Sequence, residues 1–116
     1  MIHIVIDLEM NPVRREHRDV RRFLQDEVIE FGAVKLNEYY VPIEEFQTYV
    51  KPQYGSITKH ITQLTGITVE TVEDKSEFAE AFKEFFNFKN FFCGQIQQKI
   101  YQQSFYSRFL IAATYH

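Results

Sequence analysis

Cysteine, tryptophan and long apolar runs are scarce or absent in this sequence. The single cysteine, Cys93, cannot form an internal disulfide, and no Cys/His pattern typical of a zinc site is present, so a reducing, cytoplasmic setting is expected. No apolar run approaches the roughly 20 residues that span a bilayer, and no cationic stretch followed by a long apolar one opens the chain. We therefore expect neither a membrane partner nor a secretory signal.

Positively charged residues are also fewer than negatively charged ones, 13 against 16. The net charge of −3 and the pI near 5.8 argue against a protein that coats nucleic acid through its overall field, so any such contact must be local. The 116 residues suffice for one domain at most, and a hydrophobic fraction of 45% is ordinary for a chain that folds.

Acidic residues are missing from the last 32 positions, whereas the first 84 contain all sixteen of them. This break predicts two segments, 1–88 and 89–116. In the second segment, which is rich in Gln, Phe and Tyr, we expect a short strand near Phe91 and a helix from about Ile96 to Ile111.

Three apolar stretches predict a sheet. Residues 2–8 are mostly apolar and β-branched, which is typical of a strand buried on both faces at the centre of a sheet. Strand patterns return at 27–36 and 44–52, and the short turn near 37–42 favours antiparallel neighbours. The polar stretch after Pro12 is predicted to be a loop or a frayed helix.

Two helices are predicted from apolar spacing. One is a short amphipathic helix that follows Ser56 and ends at Gly66, with apolar residues at i, i+4 and i+7: Ile57, Ile61 and Leu64. The other begins after an acidic capping pattern at Asp74 and Glu77. Its apolar face consists of Phe78, Phe82, Phe85 and Phe86. Helical spacing favours a core role for these rings over a stacking platform for bases.

The end of the first strand carries the candidate chemistry. Because side chains alternate along a strand, Asp7 and Glu9 point to the same side, about 6.5 to 7 Å apart along the chain. Two such carboxylates can reach one Mg²⁺ or two adjacent ions. An Asp-x-Glu triplet alone is weak evidence, and a solvated strand end is the plain alternative. At the end of an apolar central strand, however, the two acids repel each other unless a cation or solvent offsets them.

The chain resembles the DEDDh exonucleases, which include ribonuclease T-like enzymes and polymerase proofreading subunits. The resemblance covers about residues 2–86. It rests on four strings: "IVIDLEMNP" at the first strand, "EVIEFGAVKLN" at the second, "YVKP" at the end of the third, and "ITKHITQLTGIT" through Gly66.

This resemblance implies an α/β, ribonuclease H-like mixed sheet flanked by helices. Here it would comprise three leading strands and then helices, with the C-terminal strands and last helix incomplete. It also implies 3′→5′ exonuclease activity on single-stranded DNA or RNA 3′ ends, in which four acidic residues hold two Mg²⁺ or Mn²⁺ ions and a histidine deprotonates the attacking water.

Matching residue by residue, the resemblance assigns metal binding and catalysis to Asp7 and Glu9. It assigns substrate contact to two groups: Leu8 and Met10 beside the acids, and Thr65, Gly66 and Ile67, which match a stretch that packs against the terminal base. The alternative for the second group is a helix stop with one core residue.

The later motifs of the family have no counterpart. No aspartate follows Asp74, and the only histidine after His60 is the terminal His116, so the catalytic base and two metal ligands are missing. We therefore expect little or no hydrolysis by this chain alone. The segment 89–116 is interpreted as out of frame or as divergent.

Two other functions stay open: a non-catalytic nucleic-acid-binding fragment, and a protein-interaction fragment that self-associates through an exposed sheet edge or the aromatic tail. The segment 14–22 has five arginines against two acids, a local charge of +3 that could contact phosphates but is more typical of a solvated surface. Surface or packing roles are expected for His3, His17 and His60.

Overall fold

A computed structural model describes residues 1–90, 100–105 and 108–115, with side chains described through Phe88. The described elements are five strands and four helices: β1 (Ile2–Pro12), α1 (Arg18–Arg21), β2 (Asp26–Leu36), β3 (Pro42–Tyr49), α2 (Lys59–Thr65), α3 (Val69–Val72), α4 (Phe78–Asn90), β4 (Ile100–Phe105) and β5 (Arg108–Tyr115). None of the helices in these ranges has the length and apolarity to cross a bilayer.

Strand β1 is central, as its apolar sequence predicts. The sheet order is β3-β2-β1-β5-β4, so β1 has a hydrogen-bonded neighbour on each side. The strand runs four residues further than predicted, because Asn11 and Pro12 still pair with Glu27 and Asp26 on β2. Proline is tolerated there because β5 pairs with β1 only as far as Glu9, so at Pro12 the strand has one described neighbour and forms an edge.

The pairings between the described strands are all antiparallel. The predicted antiparallel order of the three leading strands is therefore confirmed. The parallel neighbour that a mixed sheet requires is not seen among these strands. A parallel pair needs a crossover of a dozen or more residues, and β4 and β5 are separated by only residues 106 and 107.

The prediction of a helix over 96–111 is wrong, because the described residues of that range belong to β4 and β5. Strand β5 pairs with β1 from Ile2 to Glu9, which satisfies backbone groups that would otherwise form an open edge on the central strand. The strand predicted near Phe91 lies outside the described residues.

The short helix before Gly66 is confirmed as α2, but its cap is Thr58 and not Ser56. The Thr58 side chain accepts a hydrogen bond from the backbone N–H of Ile61. Gly66 ends the helix in the left-handed conformation, with φ of 77°. The next helix, α3, was not predicted, although Thr68 and Thr71 form a reciprocal capping box at its start.

Helix α4 confirms the second predicted helix, but it begins at Phe78 and Asp74 does not cap it; Asp74 lies 3.7 Å from the Lys75 ammonium instead. The core role predicted for its four rings is only partly correct. Phe85 is buried and stacks on Phe31 of β2, with ring centroids 5.1 Å apart. The other three rings are exposed by 42% to 45%.

Two apolar clusters hold the fold together. The first joins β1, β2 and α4 and includes Ile4, Ile6, Phe31 and Phe85. The second joins β2 to α2 and α3 through Ile29, Ile57, Ile61, Ile67 and Val72. Strand β2 contributes to both clusters, because Ile29 is an extra residue in the β2 ladder between the pairs Glu9↔Glu30 and Met10↔Val28.

Candidate metal and nucleic-acid site

Asp7 and Glu9 lie on one face of β1. The register runs without interruption through Asp7↔Gly32, Leu8↔Phe31 and Glu9↔Glu30, so residues two apart share a face. Both acids are half-buried. The spacing of about 6.5 to 7 Å between alternate residues of a strand lets the two carboxylates converge on a common cation.

Gly32 keeps space free beside Asp7. A Cβ at this position would lie 3.4 Å from the Asp7 backbone carbonyl oxygen and 3.9 Å from its Cβ, which is ordinary van der Waals contact. Any longer side chain would extend over the face that Asp7 shares with its register partner. Gly32 therefore contributes no side chain of its own beside Asp7 on the β2 side.

A third carboxylate lies near this face. Glu30 is directly opposite Glu9, and cross-strand partners have Cβ atoms about 4.5 to 5.5 Å apart. Like charges directly opposite each other are mutually destabilising, and on the other side of β1 the register partner of Glu9 is Arg108 of β5. Within the part of the chain whose side chains are described, no three His, Cys, Asp or Glu residues form a cluster that could hold a metal ion.

Leu8 and Met10 point away from the two acids, because they occupy the alternate positions of β1. Leu8 packs against the first apolar cluster. Met10 lines a depression of about 350 Å³ together with Tyr54 and Phe78. Their substrate contacts stay predictions, and the backbone is the part of both residues that can reach the acidic face.

The predicted base-packing stretch is held by its own hydrogen bonds. The Thr65 hydroxyl donates to the Ile61 carbonyl oxygen at 2.8 Å and accepts from the Ile67 backbone N–H at 3.1 Å. The Ile67 side chain is only 2% exposed and packs in the second cluster, whereas Gly66 is exposed. Their substrate contacts stay predictions, and Gly66 offers the accessible surface.

Glu27 is a buried carboxylate that the sequence pattern did not single out. Its two oxygens accept the backbone N–H groups of Gln53 at 2.6 Å and Tyr54 at 2.8 Å, which fixes the segment that follows β3. Burial raises the pKa of the Glu27 carboxyl above its usual value, although the two hydrogen bonds and the nearby His17 act in the opposite direction. Its role is structural.

Asn11 fixes the neighbouring loop. It is fully buried, and its side-chain nitrogen donates to the Gly55 and Ser56 carbonyl oxygens at 3.4 and 3.2 Å. Alternation along β1 places Asn11 on the same face as Asp7 and Glu9. The loop that leads into α2 is therefore attached to the face that carries the two acids.

A family model described as an exonuclease, of the RNase T type, matches residues 4–107. The chain belongs to the RNase T family of exonucleases. The match extends 21 residues beyond Phe86, where the resemblance read from the sequence ends. This family is divalent-metal dependent. The match to its model confirms the exonuclease assignment that was made from the four sequence strings.

Curated relatives include polymerase proteins from three bacteria. The chain is 38% identical over 63 residues to the DNA polymerase III PolC-type of Thermotoga petrophila, covering 54% of this chain and 4% of that protein. It is 32% identical over 66 residues to the DNA polymerase III subunit epsilon of Buchnera aphidicola subsp. Schizaphis graminum, covering 57% of this chain and 28% of that one. A Caldanaerobacter PolC-type relative is also 38% identical. The chain thus spans a small part of these relatives.

Solved structures confirm the ribonuclease H-like fold of a DEDDh exonuclease domain. The nuclease domain of 3′hExo, described as a DEDDh family member and bound to rAMP, superposes with a TM-score of 0.62 at 26% identity, covering 76% of this chain and 44% of that chain. A 3′-exonuclease described in 3′-end-specific recognition of a histone mRNA stem-loop gives 0.60 at 27% identity, covering 74% of this chain and 38% of that one.

Proposed function

We propose that the chain is a domain of a 3′→5′ exonuclease that acts on single-stranded DNA or RNA ends by two-metal-ion phosphodiester hydrolysis. The observation that carries this proposal is the placement of Asp7 and Glu9 on one face of the central strand in a member of this exonuclease family. Related proteins are a PolC-type polymerase and an exonuclease bound to rAMP, which supports nucleic-acid 3′ ends as the substrate class.

The acids fit a hard divalent cation such as Mg²⁺ or Mn²⁺. Asp7 and Glu9 supply oxygen ligands from one side, and water and substrate phosphates would complete the coordination. When bound, such ions activate water and stabilise the leaving 3′ oxygen. Asp7 and Glu9 would hold and orient the ions, and Gly32 adds no side chain beside Asp7.

We further propose that the chain hydrolyses nucleic acid weakly or not at all by itself. Two ions bring four positive charges, and the two carboxylates of the first motif offset half of them. No aspartate or glutamate follows Glu84, and no histidine lies between His60 and His116. A second metal-ligand pair and a general base are therefore absent from these 116 residues, whether the segment 89–116 is divergent or out of frame.

Manganese binding tests the metal site. The chain, its Asp7→Asn variant and a matched Asp74→Asn control are titrated with Mn²⁺ and followed by electron paramagnetic resonance. Asp74 is exposed and lies away from β1 in the link between α3 and α4, so its substitution removes the same charge elsewhere. Weak binding that only Asp7→Asn abolishes supports the site; equal binding by both variants contradicts it.

A labelled oligonucleotide tests the activity. With Mn²⁺ present, we expect no release of mononucleotides from the 3′ end. Release that Asp7→Asn abolishes contradicts the proposed inactivity and leaves the exonuclease assignment intact. Retarded migration of the oligonucleotide without cleavage, unchanged by Mn²⁺ and by Asp7→Asn, favours the alternative, a non-catalytic nucleic-acid-binding fragment, for which the arginine-rich segment after β1 is the supporting observation.

A further inference from the structure

The segment between β1 and β2 forms a basic groove. We define the groove as three adjoining surface depressions. The first is lined by residues that include Arg14, His17, Lys51 and Tyr54. The second contains Arg14, Arg15 and Arg21 beside Ser56 and Thr58. The third is lined by Arg15, Arg18, Arg21 and Arg22. Because neighbouring depressions share arginines, the three form one continuous surface.

The acids of the same segment stay out of this groove. Glu16 and Asp19 line none of the three depressions, and among the described residues that line them Glu73, at the first, is the only carboxylate. In the range where side chains are described, none of the five arginines has a carboxylate within salt-bridge distance. The positive charge of the segment is therefore concentrated in the groove and available to an external anion.

The groove is connected to the acidic face of β1. Asn11, on that face, donates hydrogen bonds to the carbonyl oxygens of Gly55 and Ser56. Ser56 lines the first and second depressions. Arg14 lies five positions after Glu9, and an extended chain of five steps spans at most about 18 Å. A nucleic-acid strand that ends at the two acids can therefore reach the groove within a few nucleotides.

We propose that this basic groove binds the phosphodiester backbone of the nucleic-acid strand whose 3′ end lies at Asp7 and Glu9. The inference rests on the proposed function for the class of partner and extends it to the path of the strand. Guanidinium groups suit this role, because their planar donors bind phosphate oxygens bidentately and stay charged at every relevant pH. Backbone contacts of this kind carry no sequence information, so the groove should bind different sequences alike.

The binding experiment is performed without metal, so that it is independent of Asp7 and Glu9. Fluorescence anisotropy of a labelled oligothymidine is measured in EDTA for the full chain, Arg15→Gln/Arg18→Gln, and the charge-matched control Lys75→Gln/Lys83→Gln on the α3–α4 side. All four substituted side chains are exposed, and thermal unfolding verifies that the variants fold. A fourth protein, Arg15→Lys/Arg18→Lys, keeps the charge.

Loss of two phosphate contacts should reduce the slope of log affinity against log salt by about 1.4 for a single strand. Raising the salt from about 50 to 200 mM weakens binding by some factor for each protein. That factor should be about seven times smaller for Arg15→Gln/Arg18→Gln than for the unchanged chain. The lysine-pair control should keep the full slope. The Arg→Lys variant should also keep most of it, because charge and not fork geometry sets the slope.

Equal slopes for the arginine-pair and lysine-pair variants would overturn the proposal, as would an unchanged chain that does not bind the oligonucleotide. Tighter binding to phosphatidylserine vesicles than to the oligonucleotide would also overturn it, in favour of a membrane surface. Failure of the proposed metal site is a separate result, because it appears in the Mn²⁺ titration and leaves arginine-dependent binding in EDTA unchanged.

Discussion

Gly32 faces Asp7 across the β1–β2 ladder and places no side chain beside it. Because a Cβ would meet the Asp7 carbonyl oxygen at an ordinary 3.4 Å, Gly32→Ala should fold and retain Mn²⁺ binding. Gly32→Val places two methyl groups on the face of the carboxylate, and we expect Mn²⁺ affinity to fall about tenfold or more. Electron paramagnetic resonance measures both. A valine variant that binds like the alanine variant would show that Gly32 does not control access.

Glu27 makes stability depend on pH. Its folded-state pKa is raised by burial, so between the unfolded value of 4.5 and the higher folded value the native state binds more protons than the unfolded state. The contribution of Glu27 to the free energy of unfolding therefore decreases as pH rises through this window. Urea denaturation at several pH values should show a slope that Glu27→Gln removes and the exposed-site control Glu80→Gln keeps; equal slopes in both variants would contradict it.

The roles of single residues differed in how far they could be predicted from the sequence. The shared face of Asp7 and Glu9 was predictable, because alternation along a strand depends on neighbours alone. The buried roles of Glu27 and Asn11 were not, because their hydrogen-bond partners lie 26 and 45 residues away in the chain. The burial of Lys35 was equally unpredictable. Its ammonium nitrogen lies 3.0 Å from a Glu44 carboxylate oxygen and over the ring of Phe88.

At the level of elements, α4 separates core from surface within one aromatic face. Phe85 is buried against Phe31 and Phe46, so Phe85→Ala should lower the free energy of unfolding by about 3 to 5 kcal/mol. Phe86 is the matched control: it is the adjacent residue and 45% exposed, and Phe86→Ala should have an effect of less than about 1 kcal/mol.

Urea denaturation of the two alanine variants measures this difference. Similar losses from both substitutions would mean that Phe86 is covered as deeply as Phe85, in conflict with its exposure. Circular dichroism verifies that α4 still forms in each variant, since both substitutions keep or improve helix propensity.

Element types were predictable where periodicity was strong, and boundaries were not. Ser56 and Thr58 are both suitable caps, and the choice of Thr58 follows from burying Ile57 and Ile61 together against Ile29. The helix expected over 96–111 failed because local pattern does not include the unpaired edge of β1, which a strand can satisfy and a helix cannot.

For the whole molecule, β5 is what makes β1 a central strand. A chain shortened to residues 1–88 would expose the backbone N–H and carbonyl groups along one side of β1, next to apolar side chains. We expect this shortened chain to associate in a concentration-dependent manner, whereas the full chain elutes at a smaller size. Size-exclusion chromatography with light scattering compares them; a monomeric 1–88 at all concentrations would contradict the role given to β5.

The fold class and family were predictable from the sequence because strings spread over the first 68 residues fit one arrangement of strands and helices. The path of the chain around the acids could not be predicted from the sequence. The basic groove is built from segments before β2 and after β3 that only folding brings together. The division at residues 88 and 89 stays a prediction.

The extra residue at Ile29 makes one strand a member of both apolar clusters. Ile29 packs with α2 and α3, and two positions later Phe31 packs with α4, so neither group of helices can detach without loosening the same backbone ladder. Local opening of one cluster should therefore propagate to the other, and slow amide protons on both sides of the bulge should exchange with solvent as a single cooperative unit.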